Sequence, residues 1–90
     1  MPVPGETLTS GGLQRDIRAR VLTLAGTARP ACRQQTVVNT EVLELHPDGK
    51  VAAERWTVEL CGDRIHYRVD VAPRARGGGF VAREERHSGR

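Results

Sequence analysis

The stretch Trp56–Val71, WTVELCGDRIHYRVDV, decides the fold. Trp56, Val58 and Leu60 alternate with Thr57, Glu59 and Cys61. Beyond Gly62-Asp63, Ile65, Tyr67, Val69 and Val71 alternate with His66, Arg68 and Asp70. Period two on both sides of a turn is the pattern of a half-buried antiparallel hairpin. A glycine at the first central position suits a type II′ turn. That turn predicts Cys61 opposite Arg64, Leu60 opposite Ile65, Val58 opposite Tyr67, Trp56 opposite Val69 and Glu54 opposite Val71. The large apolar residues then share one face. The other face carries Glu59 opposite His66 and Arg55 opposite Asp70, two pairings of opposite charge.

Working outward, His46-Pro-Asp-Gly-Lys50 is a turn, with Gly49 at the position that needs positive φ. It joins strands over Gln35–His46 and Val51–Cys61. A bulge at Gly49 would shift their register by one, so that register stays open. Upstream, Leu13, Ile17, Val21 and Leu24 recur at helical spacing with Gln14, Arg15, Arg18 and Arg20 between them. Ser10 is placed to cap the helix, Gly26 to stop it and Pro30 to forbid continuation. A strand over Arg20–Ala25 competes, and the longer periodic match favours the helix. Residues 1–12 read as a flexible segment, Pro73–Gly79 as a loop, Phe80–Arg83 as a short edge strand and residues 84–90 as a charged tail. The expectation is one α+β domain over residues 13–83, with the N-terminal helix packed on a three- or four-stranded antiparallel meander. A small all-β sandwich is the alternative.

The 90-residue chain has a net charge of +3 and is only 3% aromatic, so its core must be largely aliphatic. A core that small benefits from a staple. Cys32 precedes the first strand and Cys61 ends the second, so the hairpin brings them near each other. An even cysteine count in a short chain suits an oxidising compartment, and a Cys32–Cys61 disulfide is expected. Two free buried thiols are the competing reading. No C-x-x-C supports a redox role. His46, His66 and His87 do not cluster, and no ligand spacing supports zinc. A Cys61–His66 nucleophile pair is set aside, because the disulfide consumes the thiol. Arg74-Ala-Arg-Gly-Gly-Gly-Phe80 contains one RGG-like copy, without the repeated aromatics of a stacking platform. No cofactor is implied.

Glu54, Trp56, Thr57, Val58, Cys61, Gly62, Tyr67, Val69, Pro73 and Gly77-Gly78 stand in the pattern E-x-W-T-V-x-x-C-G-x-x-x-x-Y-x-V, then P and G-G. This resembles a motif in small exported proteins of proteobacteria. Those proteins usually carry a signal peptide or lipoprotein signal, and a second upstream cysteine is common among them. The resemblance implies export to the periplasm or outside, with a signal removed ahead of residue 1, and a structural Cys61. It implies no activity and carries over no functional residue.

Function is therefore expected to be non-enzymatic: an envelope or secreted module that binds another macromolecule. A protein or cell-envelope partner is favoured, and an open sheet also permits a homodimer. A nucleic-acid-binding domain using helix and loop arginines is the alternative, although +3 does not demand such a partner. No apolar run reaches the ~18 residues of a membrane span. The polar face of the hairpin is the expected site. Arg64 and Arg68, which lack partners in the predicted register, are the foremost contact candidates, with His66 between them.

Overall fold

The structure is a computed structural model that describes residues 3–9, 11–72 and 79–85. One helix, α1 (Gly11–Ala28), is followed by four strands: β1 (Gln35–Leu45), β2 (Val51–Leu60), β3 (Asp63–Val71) and β4 (Phe80–Glu84). The strands form one antiparallel sheet in the order β1-β2-β3-β4, and α1 packs across one of its faces. This is the α+β meander read from the sequence, not the sandwich.

The packing follows from the two periodicities. Ile17, Val21 and Ala25, four residues apart, are wholly buried, with Leu13, Leu24 and Ala28 partly buried beside them. They cover Trp56, Val58, Leu60, Ile65, Tyr67 and Val69, which are buried on the helix-facing side of β2 and β3. Each such side chain contributes about 1.5–3 kcal/mol on leaving water. Gly26 does not end the helix. It lies inside α1, where a Cβ would sit 3.5 Å from the Gln35 amide nitrogen. Packing on the sheet outweighs the weak local stop signal, and the last turn closes with Arg29 N–H on Ala25 O at 3.0 Å, just before Pro30. Ser10, the expected cap, lies outside the described residues.

The central hairpin turns one residue earlier than expected. Leu60 pairs with Asp63, leaving Cys61 and Gly62 as the central residues, with φ of 50° and 85°. Positive φ at both is type I′ geometry, not II′. Val58 therefore faces Ile65, Trp56 faces Tyr67 and Glu54 faces Val69. The offset from the expected pairing is two residues, so no side chain changes face. The β1–β2 turn does contain the extra residue at Gly49 (φ 86°), closed by Gly49 N–H on His46 O and His46 N–H on Lys50 O. A further irregularity between Val37 and Asn39 sets Gln35 opposite Leu60. That slip carries the start of β1 toward the turn, and Cys32 and Cys61 form a disulfide with Cα atoms 5.9 Å apart. Closing a loop of 29 residues contributes roughly 3–4 kcal/mol in the chain-entropy model.

Residues 4–9 lie as a strap across β1 and β2. Glu6 N–H donates to Thr40 O (2.9 Å), Thr7 N–H to Thr40 Oγ1 (2.9 Å), and Thr40 Oγ1–H to Pro4 O (2.8 Å). The strap also reaches Glu54, which is wholly buried on the helix-facing side. Its carboxylate accepts from Thr7 Oγ1 (2.7 Å), Leu8 N–H (2.7 Å) and Trp56 Nε1 (2.8 Å). A buried carboxylate needs hydrogen-bond donors, and the strap supplies them.

Candidate binding face

With α1 on one side, the other side of the sheet is open. The register lays its residues out in ranks across the strands. Thr36, Glu59 and Arg64 lie nearest the disulfide. Asn39, Thr57 and His66 come next. Glu41, Arg55, Arg68 and Arg83 form the third rank, followed by Glu44, Ala53, Asp70 and Val81. At the disulfide end, Arg33, Thr36, Val38, Glu59 and Gly62 line an open depression.

The two-residue offset rewrites the expected charge pairs. Glu59 faces Arg64, not His66, and Arg55 faces Arg68, not Asp70. Two arginines side by side repel, and each is held by carboxylates. Arg55 donates to Glu85 through Nε (2.6 Å) and one terminal nitrogen (3.3 Å), and to Glu41 through the other (3.1 Å). Arg68 donates to Glu44 (2.7 Å) and Asp70 (3.0 Å). Its hydrogen bonds to Glu85 first and Glu41 second hold the Arg55 guanidinium above its ordinary range. Those that Arg68 donates to Glu44 and then Asp70 do the same for its guanidinium. Arg55 in turn lowers the Glu85 carboxyl, against a smaller opposing effect of burial.

The expected site residues thus fare differently. Arg64, His66 and Arg68 do share the open face. Arg68 is no unpartnered contact group, since both its bonded carboxylates are in place. Arg64 is largely exposed and meets Glu59 at 3.9 Å. His66 Nδ1 shares a hydrogen bond with Thr57 Oγ1 at 2.8 Å. His46 is elsewhere, with Nε2 bonded at 2.9 Å to Val71 O. His87 and the Arg74–Gly78 part of the RGG-like run lie outside the described residues.

Glu41, Glu44 and Glu85 belong to this face and were not singled out from the sequence. Glu85 falls in the stretch 84–90 that reads from the sequence as a charged tail. Its signal was the alternation of β4: Phe80 and Ala82 turn to the helix, so Val81, Arg83 and Glu85 turn away. Glu85 N–H donates to His66 O, which fixes it there.

Among the described residues, no group of three or more His, Cys, Asp or Glu could hold a metal ion, and no helix is long and apolar enough to cross a membrane. Comparison of this chain with family models, with curated proteins and with solved structures returns no match in any of the three.

Proposed function

We propose that the chain is a non-enzymatic module of the periplasm or the extracellular space that binds another protein or an envelope component through the open face of its sheet. The observation that carries this reading is that face itself. It is a four-stranded surface with Arg55 and Arg68 each bonded to two carboxylates and Arg64 exposed at its end. Surfaces of alternating, pre-positioned charge favour partners with the complementary pattern and disfavour others. The disulfide is compatible with an oxidising compartment. Among the described residues, Arg33, Arg55, Arg64, Arg68 and Arg83 are matched there by Glu41, Glu44, Glu59, Asp70 and Glu85, and a face without net positive charge argues against a polyanion on this side. A photo-crosslinker at Arg64, and separately at Arg18 on α1, tests the reading in an envelope extract. Crosslinking of one partner from position 64 alone is expected. Crosslinking from position 18 alone would transfer the site to the helix.

A second reading has its own observation. Arg15, Arg18 and Arg20 are exposed on α1 and make no ion pair among the described residues. They would serve a nucleic-acid partner. Its mark is a steep loss of affinity with salt, which Arg15→Gln with Arg18→Gln should flatten.

A further inference from the structure

We propose that Thr40, Glu54 and Trp56 form a peptide-recognition cradle whose resident ligand, Gly5–Leu8, exchanges with the same segment of a second copy of the chain to give a strap-swapped dimer.

The cradle is incomplete by itself. Glu54 is wholly buried, and only one of its donors, the Trp56 indole, belongs to the body of the domain. The Thr7 hydroxyl and Leu8 N–H complete it. Without them the carboxylate keeps the indole alone of these three donors, and a matching segment restores the other two at fixed geometry.

The cradle is also selective. Gly5 has φ of +102° and lies so close to Thr40 that any Cβ would overlap its backbone. Thr7 is read twice, by its N–H on Thr40 and its hydroxyl on Glu54. Glu6 and Leu8 contribute backbone N–H groups while their side chains are exposed. The pattern recognised is Gly–X–Thr–X, and Gly5–Leu8 is its sole occurrence in the chain. A second copy is therefore the source whose fit is already demonstrated.

The bonds do not depend on which copy supplies the strap. Among the described residues, apart from one bond to its own helix, Gln14 Nε2 on Thr9 O (2.7 Å), the strap's hydrogen bonds to the domain run to Thr40 and Glu54. Gly11 and Gly12 stand at the junction with α1, with open space around both. Exchange of an identical element is a low-cost route to a dimer. The resident strap competes at an effective concentration on the order of millimolar, so exchange emerges when that strap is disabled or the protein is concentrated.

Two full-length variants test this. Gly5→Val spoils the strap and leaves the cradle. Glu54→Leu spoils the cradle and leaves the strap. Each alone is expected to sediment with the 9.9 kDa mass of one chain. Mixed at about millimolar concentration, they should give a one-to-one heterodimer of doubled mass. If Gly5→Val does not fold, Thr7→Val replaces it, losing the hydroxyl alone. A synthetic peptide of residues 3–9, added to the strap variant, should return the emission of Trp56, the sole tryptophan, to its wild-type position. Folded variants that give no heterodimer overturn the proposal. Peptide rescue without heterodimer would leave a peptide site but overturn the second copy as its source.

Discussion

Glu54 and Glu85 lie on opposite faces of one sheet and are satisfied in opposite ways. Glu54 is wholly buried, and its partners among the described residues are neutral donors: a hydroxyl, an amide and an indole. Glu85 keeps access to water and is held by the Arg55 guanidinium. The difference shows what each face can tolerate. In the core, fixed geometry compensates a carboxylate for lost water, so its partners are structurally demanding. On the open face, water remains the competitor, so ion pairs add little stability and are free to serve recognition.

The comparison is broken most severely at Trp56. Trp56→Ala removes the largest buried side chain and one Glu54 donor together, and should cost about 3–5 kcal/mol, most of the stability of so small a domain. Denaturant titration measures it, and an unchanged midpoint would refute the burial assigned here. Glu54→Gln is next. Its carboxamide cannot accept from all three donors, so a loss of about 1–3 kcal/mol is expected. Hydrogen exchange at the Leu8 amide should accelerate in the same variant. If that amide keeps its protection, the strap is held by something other than Glu54.

The open face should respond far less. Arg55→Gln is expected to cost no more than about 1 kcal/mol, since the pair is partly screened by solvent. Its pH dependence is the sharper measurement. The folded Glu85 carboxyl lies below its unfolded value of about 4.3, so its contribution is present above that value and is lost as pH falls through the lower folded one. The melting-temperature gap between wild type and Glu85→Gln should therefore be open near neutrality and close in acid. A gap that persists in strong acid would show that packing, not charge, holds Glu85.

The smallest effect concerns Tyr67, the sole tyrosine. Its hydroxyl is buried without a hydrogen-bond partner among the described residues. Burial, and to a lesser degree Glu84, pushes its ionisation above the ordinary value of 10.0. At neutral pH this changes nothing. In an alkaline absorbance titration, phenolate should appear later than in the denatured chain, and stability should decline as pH rises through the folded value. Coincident folded and unfolded titrations would contradict the buried hydroxyl.

Much of the architecture was legible in residue order. Alternation from Trp56 to Val71 and the Leu13–Ile17–Val21 stripe identify hairpin, helix and the faces that meet, because side-chain period is a local property of each element. The disulfide was legible too, since chain order alone puts Cys32 and Cys61 at neighbouring ends of two strands. The pairing partners were not. Turns centred on Gly62-Asp63 and on Cys61-Gly62 leave every apolar residue on the same face, so hydrophobic pattern cannot choose between them. Only the backbone, with positive φ at both Cys61 and Gly62, decides, and with it whether Arg68 is free or held by Glu44 and Asp70. The strap lay further out of reach. Val3–Thr9 has no periodicity, and Glu54 stands in sequence like any other acidic residue of a strand. That the two meet across more than forty residues is a long-range contact, created when the sheet buries Glu54 and the nearest donors to answer it are Thr7 and Leu8.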